Sequence, residues 1–140
     1  MTPPRKVMVI PCSGIGKSFG TVSRVAAYQV VEEDRPGQTQ LVPLALLVTG
    51  DEESRRLVAE NPAVAIDGCK LACASKMITQ SGGQVAREFA VLDVFRRYRE
   101  FKPEGIAELN AGGEQLAAAL AREMDAVVDE LTGEEGGSHA

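Results

Sequence analysis

Short apolar runs, set off by glycine, proline and charged breaks, give this chain its pattern. Val7-Met8-Val9-Ile10 is a β-branched-rich run of strand length, and Pro11 ends it. Cys12–Gly20 (CSGIGKSFG) reads as a glycine-rich loop. From Thr21 to Asp34 the spacing becomes helical, with Val22, Val25, Ala26 and Val30 predicted on the inner face, and Arg35-Pro36-Gly37 is a turn. A second apolar run, Leu41–Val48, predicts a strand. Pro43 inside it marks a strand start or an edge, because proline cannot donate to a ladder. Asp51 is a plausible N-cap for a short charged helix, Glu52–Glu60, which Asn61-Pro62 stops. Ala63–Ile66 predicts a third strand, and Leu71–Gln80 a helix closed by Gly82-Gly83. Glu88–Asp93 (EFAVLD) predicts a fourth strand, and Asp93 is expected to cap a helix over Val94–Phe101. Past Pro103, Glu104–Ala111 looks irregular. Glu114–Leu131 predicts a long amphipathic helix, with Leu116, Leu120, Met124, Val127, Val128 and Leu131 on one stripe. No internal repeat is visible.

Strands alternating with helices argue for an α/β domain with helices on both faces of a parallel sheet. The expected fold is a three-layer, Rossmann-like or flavodoxin-like domain with a mainly parallel four-stranded sheet and a C-terminal amphipathic helix. One domain is expected over residues 1–132, and the polar, glycine-rich tail 133–140 is expected to be disordered. In such sheets ligands bind beyond the carboxyl ends of the strands.

Composition narrows the function. The chain has 140 residues, a net charge of −5, few aromatics and no tryptophan, so its core must be built from Val, Leu, Ile and Ala. An acidic chain without a basic stripe gains nothing from phosphate backbones, which argues against nucleic acid as a partner. The apolar runs are too short to span a bilayer, which argues against a membrane. The N-terminus MTPPRKVMVIPCSG lacks an apolar signal core followed by a cleavage site, so a cytoplasmic protein is expected. Thiols stay reduced there, and cysteines act as ligands, nucleophiles or core residues rather than as a disulfide framework.

The candidate chemistry rests on three cysteines, Cys12, Cys69 and Cys73. Cys69 and Cys73 are four apart across a strand-to-helix transition, a spacing that puts both on one helix face. Cys12 follows the first strand, so all three fall at the carboxyl edge of the expected sheet. Thiolates suit zinc, copper(I) or iron–sulfur clusters. Three thiols bind zinc as a soft ion with the fourth position left to water, a small anion, a substrate or Asp67. His139 in the tail reads as a solvated terminal residue. A second reading is a metal-free cysteine enzyme acting by thiol redox, sulfur transfer or anion-binding nucleophilic attack. Cys12 or Cys69, each before a helix and near Lys17, Lys70 or Lys76, would then have a lowered pKa. Backbone N–H groups around Ser13 and Gly14, with Lys17, would cradle an anion. A third reading is an interaction module whose cysteines only pack, as free cysteines often do. Gly16-Lys17-Ser18 resembles the end of a phosphate loop, but the glycine needed five residues before Gly16 is Pro11, which removes that reading. The C-terminal stripe packs on its own domain or, as the sharper alternative, joins two copies as a homodimer.

Ile66-Asp67-Gly68-Cys69 with Cys73 and Lys76, together with Pro11-Cys12-Ser13-Gly14-Ile15-Gly16-Lys17, resembles the DGC-domain family of zinc-binding proteins, named for its Asp-Gly-Cys motif. The resemblance runs from Val7 to about Val94, and IDGC-x3-C is its most specific part. It implies a small domain with four chelating cysteines. Three carry over, to Cys12, Cys69 and Cys73. The fourth is expected within Leu41–Leu47, where this chain has no cysteine and Pro43 occupies the position. A closed four-thiolate site therefore cannot form within one chain: either the metal keeps an exchangeable fourth position, or another ligand substitutes, or metal binding is weakened or lost.

Overall fold

The computed structural model describes residues 6–12, 18–68, 73–104 and 109–133. Strand β1 (Val7–Pro11) is buried along its whole length. A strand covered on both faces needs no polar alternation, which is why it reads as an unbroken apolar run. Helix α1 (Ser18–Gln29) continues as a π-helical turn, Val30–Asp34, closed by the Arg35 N–H donating to the Val30 carbonyl at 2.8 Å. Then follow β2 (Thr39–Leu41), α2 (Leu44–Thr49), α3 (Glu52–Glu60), β3 (Ala63–Asp67), α4 (Cys73–Gln80), β4 (Val85–Ala90), α5 (Val91–Arg97) and α6 (Ala111–Thr132).

The strands form one parallel sheet in the order β2-β1-β3-β4. Strand residues alternate between its two faces. Val7, Val9, Val64 and Ile66 pack with α1, α5 and α6, whereas Met8, Ile10, Ala63 and Ala65 pack with α2, α3 and α4. The result is a three-layer α/β domain of the Rossmann or flavodoxin-like kind. The chain leaves β1 for β2 on one side and then crosses to β3 on the other. The topological switch point therefore lies between β1 and β3, where the crevice of an open α/β sheet forms.

Several elements fall where the pattern put them. Helix α3 has the predicted bounds, and Asp51 caps it by accepting from the Ser54 N–H at 3.0 Å. The π turn carries α1 to Asp34, its predicted end. On α6 the stripe residues Leu116, Leu120, Met124, Val127 and Val128 are buried, and Leu131 packs beside them. That stripe is covered by α1 and the sheet of its own chain. None of the described helices is long and apolar enough to cross a membrane.

Other elements differ. The run Leu41–Val48 is not a strand. β2 ends at Leu41, and Leu44–Thr49 is helical, with Leu44 and Leu47 inward and Leu46 and Val48 exposed. Pro43 is the residue before that helix, with φ −63° and ψ 133°. A short apolar run does not distinguish a strand from a helix by period alone. Strand β4 lies three residues earlier than expected. It is a sheet edge, so Arg87 and Glu88 stay exposed there, and the apolar residues after it start α5 through buried Val91 and Val94. Asp93 is no cap. Ala90 holds that place without a side-chain bond, and Asp93 sits 3.5 Å from Arg96 in the first turn. Helix α1 starts at Ser18, so Phe19 and Gly20 belong to its first turn rather than to a loop, and Val25 is 38% exposed rather than inward. Helix α6 starts at Ala111, three residues early, because the Asn110 side chain accepts from the Gly113 N–H at 2.8 Å. Leu71, Ala72 and residues 134–140 lie outside the described residues.

Candidate functional site

The carboxyl ends of β1 and β3 meet at the switch point, and a further bond continues their ladder. The Cys12 N–H donates to the Ile66 carbonyl at 2.7 Å. The Cys12 carbonyl accepts from the Ser23 hydroxyl of α1 at 3.2 Å, and the same hydroxyl reaches the Gly20 carbonyl at 2.7 Å. Cys12 is thus held by β3 on one side and by α1 on the other, and is 3% exposed. Cys73 is half-buried at the first residue of α4, against the opposite face of the sheet.

Asp67, the last residue of β3, is 2% exposed. Its Oδ1 accepts from the Ala74 N–H at 2.9 Å and its Oδ2 from the Ser75 hydroxyl at 3.1 Å. The carboxylate therefore satisfies an otherwise orphaned donor at the start of α4, the service a capping residue gives. It spans seven residues of chain to do so, joining the end of β3 to the start of α4. Burial pushes the Asp67 carboxyl up. The bonds from Ala74 and Ser75 pull it back, and nearby Glu88 adds to the rise. The Ser75 hydroxyl also makes a short contact with Glu88 Oε2, so one hydroxyl proton lies between two carboxylates.

Gly68 takes no left-handed angle. Its role is proximity. A Cβ there would meet the Gly20 nitrogen at 2.9 Å and the Gly20 Cα and Phe19 carbonyl carbon at 3.0 Å. Two glycines, Gly20 and Gly68, let the first turn of α1 rest on the end of β3.

Among the expected site residues, Cys12, Asp67 and Cys73 come to the carboxyl rim of adjacent strands. Ser13, Gly14, Lys17 and Cys69 lie outside the described residues. Lys76 is exposed on α4. Among the described residues no three histidines, cysteines or carboxylates form a metal-holding group, so Cys12, Cys73 and Asp67 do not make a ligand set without Cys69. Both Asp67 oxygens are already engaged, and the donor chemistry fits a soft ion through thiols rather than through this carboxylate. A hollow of about 380 Å³ lies at the opposite, amino end of the sheet, beside Glu60, Pro62, Val85 and Leu131. It gathers no nucleophile or cluster of titratable groups, so the chemistry points to the rim. Ser23, Ser75 and Glu88 were not marked by the sequence pattern. Their roles depend on contacts between separate elements, and only Ser75, two residues past Cys73, carried any local hint.

A model of the DGC domain matches residues 8–112, well over half of the chain. No curated protein matches the chain, and no solved structure does.

Proposed function

Given that this chain belongs to the DGC-domain family, we propose that it is a cytoplasmic zinc-binding protein whose Cys12, Cys69 and Cys73 hold the ion as thiolates. The fourth position stays open to water, a small anion or a substrate. The observation that carries this reading is the placement of Cys12 and Cys73 at the carboxyl ends of neighbouring parallel strands at the switch point. Asp67 and Gly68 then act as positioning residues. The carboxylate ties the end of β3 to the start of α4, and the glycine admits α1, to which Cys12 is hydrogen-bonded. Bound zinc supplies Lewis acidity at its open position and keeps the coordinating thiols deprotonated. Around it, the Cys12 backbone is held by β3 and Ser23.

The test is metal content. Protein purified without chelator and reloaded under reducing conditions is expected to hold close to one zinc, and Cys69→Ser to lose most of it. Less than about a tenth of an equivalent in the wild type overturns the reading. The second reading, a metal-free thiol enzyme with Cys12 or Cys69 as the nucleophile, draws on the place of Cys12 at the carboxyl end of β1, with its backbone held by β3 and α1. It predicts one thiol in the chelator-treated protein that alkylates with a midpoint well under the ordinary value of about 8.5.

A further inference from the structure

The far rim, where the strands begin, holds a second group of charges. Four ionisable side chains meet where the π turn packs on α6: Asp34 and Arg35 from the turn, and Asp125 and Asp129 from the helix. Arg35 is held by Asp129 and by the Asp34 carbonyl. Its Nε and Nη2 donate to the two oxygens of Asp129 at 2.8 and 3.0 Å, and its Nη1 donates to the Asp34 carbonyl at 2.9 Å. Three of its five N–H groups are used in this way, none of them on Asp125. The Asp125 carboxyl instead meets the Asp34 side chain, and its Oδ1 is buried without a partner. Among the described residues, the other donor on Asp34 is the Gln29 amide, at 3.5 Å. These carboxylates are not arranged to hold a metal ion. A carboxyl facing a carboxylate is satisfied by a hydrogen between them.

We infer that this junction is a proton latch, in which Asp125, protonated, donates to Asp34 and fastens the last turns of α6 to the end of α1. When the proton leaves, two carboxylates face each other beside a guanidinium that is already engaged, and the end of α6 loosens. Burial is the main cause that pushes Asp125 up to about 7, with the Asp34 bond and charge next, Asp129 adding to the rise and Arg35 opposing it. The folded value lies above the unfolded one, so the latch is closed at low pH. Its contribution is lost as pH rises from about 4 to about 7. The π turn belongs to the device. Its extra residue per turn shifts Asp34 around the helix axis relative to a continuous α-helix, and such turns recur at functional positions.

The experiment is hydrogen exchange on the full chain at the Val127–Thr132 amides, corrected for intrinsic rates, at pH 5 and pH 8. The opening constant in the wild type is expected to be at least about fivefold larger at pH 8, and in Asp125→Asn to change by less than about twofold, with protection at pH 8 no lower than in the wild type. An asparagine variant that keeps the wild-type pH ratio, or a wild type with no ratio, overturns the proposal. A carboxyl-carbon titration by NMR gives a reading free of mutation. Asp125 is expected to titrate above about pH 6, and its titration below about pH 5 overturns the latch. Neither measurement depends on the thiols.

Discussion

Gly68→Ala tests whether the Asp-Gly-Cys glycine is there for closeness. The new methyl would lie 2.9 Å from the Gly20 nitrogen and 3.0 Å from two further backbone atoms, where ordinary contact begins at 3.4 Å. All three neighbours are backbone, so no side chain can rotate away. Either the first turn of α1 or the end of β3 must retreat by about half an ångström. The first turn of α1 is itself anchored. Phe19 packs on Phe95 with ring centroids 5.7 Å apart, and Ser23 of the same helix holds the Cys12 carbonyl. Overpacking of this kind costs about 1–3 kcal/mol, a sizeable fraction of the 5–15 kcal/mol typical of a domain. The variant is therefore expected to fold, to unfold at lower urea and, under the proposed reading, to bind zinc more weakly because Cys12 is hydrogen-bonded to α1. Gly37→Ala is the control. Nothing lies within 4 Å of its Cβ, and its backbone is not left-handed, so it is expected to be neutral or stabilising by about 0.4–1 kcal/mol. The assay is urea denaturation followed by circular dichroism, with chelator competition for zinc. A Gly68→Ala protein as stable as the wild type refutes the packing argument, and so does a Gly37→Ala protein that loses as much.

Two more substitutions address the rim. Asp67→Ala strips a buried N–H of its acceptor and is expected to cost about 1–3 kcal/mol in urea denaturation. Asp67→Asn keeps an oxygen for Ala74 and offers Ser75 a donor, so it is expected to lose less than about 1 kcal/mol; equal losses would show that charge, not capping, is what matters. Pro43→Cys places a thiol just beyond β2, where the family resemblance expects the fourth ligand, and chelator competition is expected to report at least about tenfold tighter zinc. Unchanged affinity with the added thiol still freely alkylated would mean that position 43 does not face the ion.

The parts of the fold that were legible are those whose causes are local. VMVI and AVAI are buried strands because they are short and unbroken, and Glu52–Glu60 is bounded by a cap and a proline a few residues away. The misread parts have distant causes. Leu44–Thr49 is a helix because its two inward leucines meet the layer formed by α3 and α4, while the same residues alone suit a strand. Gly20 sits within a helix, against its propensity, because Gly68 lies against it across the fold. Asp67 showed as a candidate ligand because a carboxylate beside a cysteine suggests coordination. Its bond to a backbone N–H seven residues on is too long in sequence to look like a cap.

The departure from the family pattern acquires a location once the strands are ordered. Pro43 follows β2, and β2 lies beside β1, with the Val42 N–H donating to the Val9 carbonyl at 3.0 Å. The ends of β2, β1 and β3 therefore bring Pro43, Cys12 and the Asp-Gly-Cys segment to one rim, in that order. A fourth thiolate at position 43 would approach Cys12 from the side away from Cys73. Under the proposed reading, its replacement by an exposed proline leaves the gap on the β2 side, next to α2. That asymmetry constrains the open position. Under that reading, a ligand exchanging at the ion would be expected on the side of the exposed Pro43 rather than of Asp67, whose two oxygens accept from Ala74 and Ser75 of α4.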